Sequence, residues 1–400
     1  MKKILSTLAL ASALALGGVL AANAQDTVKL ALVQAISNNP LQVYAKQTIN
    51  GFQLGLEYAT KGTMMVKGKK IEVVEKDTQA KPDIARSMLS EAYADGALIA
   101  IGGTSSGATT AMLPVAAENE KILLVEAAVA DSLTGPNSNK YVFKTSRNSS
   151  MDMQAQAIAL KPDKNLYLAT LAQDYAFGHD GINALKAALE GTGANIVDEE
   201  YIPFKTTDFT ATIQRMIDAL KDKPGRKVIF VNIAGIDAFT PLTQAGLDRY
   251  GIEISTGGFI LPQLASIAKK LAGAEGAMYY HYQAPKNPIN DWLVKEHEKR
   301  FGEPPDFFTC GGMAAAMAIV KALETADKWD TDTLIKTMAG MTWDTPKGPM
   351  TFRPQDHQAL QDMFMYKMKV DPNAKYAVPE LVRVIKADEM KIPVGRDDTK

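Results

Sequence analysis

The sequence predicts an α/β protein made of two doubly wound parallel-sheet lobes. Three observations lead there: short apolar runs alternate with longer segments of helical periodicity, the alternation restarts near Asn165, and 400 residues exceed a single core of ordinary size. Strand and helix in strict alternation build βαβ units, which place helices on both faces of a parallel sheet. Two runs of such units give two lobes of roughly 150 to 200 residues each.

The first run opens with VKLALVQAI (28–36), a helix near 42–60, KIEVVEKD (70–77) and a helix near 82–94. LIAIGGTSSGATTAML (98–113) supplies a strand, a turn and the start of a helix, and KILLVEAAV (121–129) the next strand. From Asn165 the cycle begins again with NLYLATLAQD, a helix near 176–190, NIVDEEYIP, a helix near 208–221, KVIFVNIAG, another helix and IEISTGGFI. The two runs share no visible sequence, so the duplication is architectural and not that of a solenoid. The tail holds GAMYYHYQAPKNP (276–288), helices near 289–301, around Cys310 and from Thr331, then MTFRPQDHQ and DMFMYKMKV. Its helices have no obvious sheet of their own and are expected to return over the first lobe.

Lys2 and Lys3 precede an apolar run to about Leu20, and Ala22-Asn23-Ala24 ends it with small residues, which reads as a signal peptide over 1–24, cleaved near Ala24. No second apolar run of membrane-spanning length is read downstream. Loss of the two lysines leaves 42 basic against 45 acidic side chains in a mature chain of about 376 residues. That balance favours no polyanionic partner such as nucleic acid. Cys310 is the single cysteine and, within FFTCGGMAAAMAIV, reads as a small packed hydrophobe. Four histidines, His179, His281, His297 and His357, include no pair at metal-ligand spacing, so neither a metal nor a cofactor is expected.

The chemistry is expected at the turn in LIAIGGTSSGATTAML. Gly103-Thr104-Ser105-Ser106-Gly107 matches the G-x-S-x-G of a nucleophile elbow, with Ser105 as nucleophile and His357 as the one plausible base. A phosphate loop is set aside, because Ala108-Thr109 follows Gly107 where a Lys-Ser/Thr pair is needed. The same strand-turn-helix geometry also makes an anion cradle: free N–H groups at a helix N-terminus, with Ser and Thr hydroxyls beside them, suit a carboxylate. G-x-S-x-G is short enough to arise by chance, so the cradle is favoured over the elbow, with a plain helix cap as the third reading.

Taken in order, ALVQAISNNPLQVYAKQTINGFQLGLEYA, GGTSSGATTAMLPVAAENEKILLVEAAVADSLT, AQDYAFGHDGINALKAAL, TTDFTATIQRMIDALKDKPGRKVIFVNIAG and GPMTFRPQDHQ resemble a known family. It is that of periplasmic solute-binding proteins of the branched-chain amino acid type, the soluble receptors of ABC importers. The resemblance spans the mature chain, and its specificity lies in the order and spacing of the pieces.

The resemblance implies a type I periplasmic binding fold whose lobes are joined by three hinge crossings. Lobe 1 would comprise 25–148 plus 283–362 and lobe 2 would comprise 149–282 plus 363–400. A ligand would lie between them, its carboxylate held by a serine of GGTSSG, Ser106 by best match or its neighbour Ser105. Backbone groups at Ala128 and a hydroxyl two residues later would assist. That later position is Ala130 here, so either backbone groups suffice or the ligand differs from an ordinary α-amino acid. Tyr44 matches a residue lining the ligand side chain, with a core role as the alternative. Phe177, with Tyr175 beside it, matches an aromatic that closes from lobe 2. Asp237 falls at or near an acid that holds an amino group, although an acid at a helix start is also a routine cap. The function implied is a periplasmic receptor, not an enzyme, that binds a branched-chain or other amino acid, or an aromatic acid, and delivers it to permease subunits in the inner membrane. A secreted serine esterase and a periplasmic sensor are the alternatives.

Overall fold

The computed structural model describes residues 27–267, 273–369 and 379–399; the expected signal peptide, 1–24, lies outside them. The first unit contains β1 (Thr27–Gln34), α1 (Gln42–Ala59), β2 (Met65–Val66), β3 (Lys69–Asp77), α2 (Pro82–Ala94), β4 (Ile99–Gly102), α3 (Ser106–Glu118), β5 (Ile122–Val125) and β6 (Val142–Lys144). Its sheet runs β2-β3-β1-β4-β5-β6 and is parallel except for the β2–β3 hairpin. β4 and β5 are buried at every residue, which is why IAIG and ILLV show no polar alternation.

α4 (Ser149–Leu160) leads into the second unit. There β7 (Leu166–Gln173), α5 (Ala176–Leu189), β8 (Asn195–Ile202), α6 (Thr210–Leu220), β9 (Arg226–Asn232), α7 (Phe239–Gln244), β10 (Ile252–Thr256) and α8 (Leu261–Ile267) follow one another. The sheet order is β10-β9-β7-β8, again parallel. The chain continues with β11 (Glu275–Met278), α9 (Pro288–Phe301), α10 (Phe307–Thr325), α11 (Thr331–Met338), β12 (Thr342–Thr345), β13 (Gly348–Phe352), β14 (Ala359–Leu360), β15 (Met363–Lys367) and β16 (Glu380–Ile385). Two small antiparallel sheets, β11-β15-β16 and β12-β13-β14, come from this tail.

Segments 145–148, 279–287 and 361–362 connect elements of different sheets, and the doubly wound two-lobe architecture is the one the alternation predicts. The tail helices return as expected: Ala314, Ile319 and Leu323 of α10 share one core with Leu30, Phe52 and Ile101. α10 corrects one sequence reading, since it is long and apolar enough to cross a membrane. Its burial accounts for that composition, because 89% of its apolar window lies inside the protein, with Cys310 fully enclosed.

Two further features depart from the sequence reading. β6 and the antiparallel sheets are too short or too irregular for periodicity to reveal. The chain end, expected with lobe 2, turns back to the first sheet: Gly395 N–H donates to Asp356 at 3.0 Å and Arg396 to the Val142 carbonyl at 3.1 Å. Asp356 is wholly buried and also receives Arg353 at 2.9 and 2.6 Å, so its charge draws donors from both segments.

Contact between α1 and α10 depends on glycine. A methyl at Gly51 would overlap the Thr309 carbonyl, and one at Gly312 the Thr48 carbonyl, so the helix backbones touch where a Cβ would stand. Gly312→Ala is expected to destabilise the protein by roughly 1–3 kcal/mol through overpacking, read as a lower urea midpoint. Gly62→Ala, at an open position of positive φ, tests backbone strain alone and should cost less.

Candidate functional site

In an open parallel sheet, a crevice forms at the carboxyl ends of two adjacent strands whose following helices go to opposite faces. The first sheet has such a switch between β1 and β4, and the second between β7 and β9. A cavity lies where the two meet. Leu41 and Tyr44 reach it after β1, Thr104 and Ser106 after β4, Tyr175 and Phe177 after β7, and Asn232 to Ala234 at the end of β9.

Three helices begin at this cavity without a side-chain cap: α1 after Leu41, α3 and α5. α3 starts at Ser106 with Ser105 as an uncapping neighbour, and α5 starts at Ala176 after Tyr175. By contrast α4, α9, α10 and α11 are closed by Asn148, Asn287, Asp306 and Asp330. An uncapped N-terminus leaves N–H donors and a partial positive charge, worth roughly 0.3–1 kcal/mol to an anion and up to ~2 when partly buried.

The structure separates the residues singled out from sequence. Ser106 lines the cavity, and its Oγ accepts the Ala130 N–H at 3.3 Å, which leaves its own hydroxyl proton available. Ser105 does not line it. Ala128 lines it, but its N–H already donates to the Gly103 carbonyl at 3.0 Å. Ala130 lies beneath, its carbonyl held by Lys144 Nζ at 2.8 Å. Among the described residues of that loop, the N–H left unbonded at the cavity is that of Val129. The loop glycines serve close packing. Methyls on Gly102 and Gly103 would strike Val33 and Thr109, whereas Gly107 gives room to Tyr175 across the cleft.

Tyr44 stacks on Phe308 at 4.5 Å between ring centroids, and its hydroxyl accepts the Gly235 N–H from the other lobe at 3.0 Å. That bond joins the two lobes across the cavity. Tyr175 and Phe177 form the facing aromatic wall, with centroids 5.9 Å apart. Asp237 corrects the expected ammonium contact: it is exposed, outside the cavity, and its Oδ1 accepts the Phe239 and Thr240 N–H groups at 3.0 Å each. An acid near a helix start satisfies orphan donors there, and this one is used in that way.

Sequence reasoning missed Arg147, Asp152, Gln263, Phe307 and Phe308, all of which line the cavity. Arg147 Nε bonds both oxygens of Asp152 at 3.0 and 3.2 Å, and its guanidinium lies over the rings of Tyr279, Phe307 and Phe308 at 5.0 to 5.9 Å. Burial raises the pKa of Asp152, and the charge of Arg147 opposes that shift. Asp152 is the one carboxylate among the described lining residues. The signal available in sequence was a lone arginine directly after a strand, in KTSRNSS; nothing in its spacing ties it to a site.

The nucleophile-elbow geometry is not assembled. Among the described residues no hydrogen bond joins Ser105 to a histidine. His357 stacks on Phe143 at 3.9 Å and faces the Val142 carbonyl and Arg396. Burial, and then Arg396, lower its pKa to about 4.

Residues 27–375 match the model of a protein family described as periplasmic binding protein. Leu/Ile/Val-binding protein homolog 6 of Brucella abortus (strain 2308) is 25% identical over 365 residues, which cover 88% of this chain and 90% of that protein. A crystal structure of an ABC-type branched-chain amino acid transporter protein from Rhodopseudomonas palustris superposes with a TM-score of 0.81. It is 56% identical and covers 93% of this chain and 100% of its own. A solute-binding protein of an ABC transporter from Rhodopseudomonas palustris BisB5, in complex with 3,4-dihydroxybenzoic acid, gives a TM-score of 0.80. Its identity is 28%, with 92% and 99% of the two chains covered.

Two outcomes follow from the geometry. Tyr44→Phe keeps the aromatic wall but removes the bond to Gly235, so the ligand-free protein should open, with a larger radius of gyration in X-ray solution scattering. Ligand affinity should fall about fivefold, the worth of one hydrogen bond near 1 kcal/mol. His357 is protonated in the unfolded chain below its ordinary value of 6.5 but in the folded protein only near 4. Its contribution is therefore complete above about 6.5 and lost as pH falls towards 4. His357→Gln should flatten the stability-against-pH curve over that interval, and an unchanged slope would assign acid sensitivity to other groups.

Proposed function

The chain belongs to the periplasmic binding protein family, and from that premise we propose that it is a receptor whose cleft takes an aromatic carboxylic acid in preference to an α-amino acid. The observation that carries this reading is the state of the acids. Asp152 has both oxygens on Arg147, and Asp237 is outside the cavity at the start of α7. An α-ammonium group entering the cavity would meet no carboxylate free to pair with it, and a buried unpaired charge is costly.

Other features of the cavity suit an anionic ring. The Ser106 hydroxyl, the Val129 N–H and the uncapped ends of α3 and α5 can surround a carboxylate, while Tyr44, Tyr175, Phe177, Phe307 and Phe308 supply faces for a ring. Charge-assisted hydrogen bonds contribute roughly 1.5–3 kcal/mol each. Three or four such terms, offset by desolvation and ordering, support affinity near the micromolar range, about −8 kcal/mol. The relative holding 3,4-dihydroxybenzoate supports the same ligand class.

In this reading the first lobe captures the carboxylate, second-lobe contacts form on closure, and the closed form is presented to permease subunits of an ABC importer at the inner membrane. The protein is delivered to the periplasm by its cleaved leader and catalyses no reaction. The lobes divide at 148/149, 282/283 and 362/363, with the chain end from Gly395 attached to the first lobe.

A thermal-shift series with benzoate, 4-hydroxybenzoate, 3,4-dihydroxybenzoate, leucine and valine tests the ligand class. The aromatic acids should raise the melting temperature, by RT ln(1 + [L]/Kd), and the amino acids should not. Ser106→Ala should weaken the best acid about tenfold, and Ser105→Ala should leave it unchanged. Stabilisation by leucine alone would overturn the ligand class. Ester hydrolysis abolished by Ser105→Ala would overturn the receptor reading.

A further inference from the structure

The three crossings between the lobes are tied together at one buried side chain. Lys347 stands in the turn between β12 and β13 and is buried. Its Nζ donates to Gln361 Oε1 at 2.9 Å, on the third crossing, and lies 3.6 Å from the ring centroid of Tyr279, on the second. The other end of the same amide, Gln361 Nε2, donates to the Thr145 carbonyl at 3.1 Å, on the first. The turn itself is fixed to the second crossing by Asn287, which donates to the Pro346 carbonyl at 2.9 Å.

We propose that Lys347 is the hub of the hinge, a positioning residue that holds the three crossings in register and couples their geometry to the ligand through the ring of Tyr279 and Arg147.

The coupling has a short physical path. Lys347 Nζ and the Arg147 guanidinium both lie over the Tyr279 ring, and Arg147 also lines the cavity. Facing Lys347 are the Cys310 thiol from α10, Arg147 from the first crossing, Asp152 from α4, Asp362 from the third crossing and the phenol of Tyr279. Glu126, at the end of β5, accepts from Thr145 Oγ1 at 2.7 Å and so adjoins the same crossing. Burial lowers the Lys347 ammonium to about 7 and raises Glu126 to about 7. An anion placed beside Arg147 offsets the positive field at Lys347 and favours its protonated form. By linkage, protonation then favours the anion, so affinity rises as pH falls through about 7. This coupling rests on the reading above that the ligand is an anionic ring, whereas the hub does not.

Two measurements test the proposal separately. In the ligand-free full chain, amide hydrogen exchange should quicken in 145–148, 279–287 and 361–362 together for Lys347→Met, by roughly tenfold. For Gln361→Met it should quicken in the first and third crossings and not in the second. Exchange that changes in the 345–348 turn alone, in either variant, would overturn the hub. Titration calorimetry with 4-hydroxybenzoate at pH 7.5, in buffers of different ionisation enthalpy, should show proton uptake on binding that Lys347→Met abolishes and Glu126→Gln retains. Uptake lost in Glu126→Gln and kept in Lys347→Met would overturn the coupling. Failure of 4-hydroxybenzoate to bind the unaltered protein would overturn the ligand reading and the coupling with it, while the exchange data still decide the hub.

Discussion

A parallel sheet forces every following helix to begin at the carboxyl edge of its strands, and that one constraint organises this molecule. The helix must cross back over the sheet to start the next parallel strand, so N-termini collect at one edge and leave it electropositive. Two such sheets face each other here, edge to edge. Ser106 from the first and Tyr175 from the second then meet at a single cavity without any long loop to carry them.

The same edge explains which polar groups are free and which are engaged. The loop after β5 is drawn tight against its neighbours, so Ala128 and Ala130 bond to Gly103 and Ser106 and leave Val129 facing the cavity. Arg147 enters from the next strand and brings its own counter-ion in Asp152, which keeps the buried cation paired before any ligand arrives. A pocket wired in this way presents dipoles, hydroxyls and ring faces in place of a second free charge. The bond from Gly235 to Tyr44 joins the two lobes across the gap, and Lys347 and Gln361 bond to each other beside the crossings.

The alternation of strand and helix, the return of the tail helices and the burial of Cys310 were legible because each follows from periodicity or composition over many residues. So was the turn in GGTSSG between β4 and α3, because glycines and hydroxyls end a strand and open a helix. β6, at three residues, is too short to carry a period, and the antiparallel sheets of the tail pair segments that no local pattern connects. The apolar helix α10 marks the limit from the other side: its composition is the same for a membrane span as for a core, and its packing against α1 distinguishes them.

By itself the sequence determined the class of fold, the family resemblance and the strand-turn-helix at the start of α3, all of which are local or additive properties. The tertiary structure decided which members of the cradle face the cavity, preferring Ser106 to Ser105 and Val129 to Ala130. It also decided that Asp237 caps a helix on the surface and that Arg147, Asp152 and Phe308 stand in the cleft. The physical reason is that a contact between side chains distant in sequence depends on the angle at which two sheets meet and on which donors are already bonded. Neither quantity is written in any one segment of the chain.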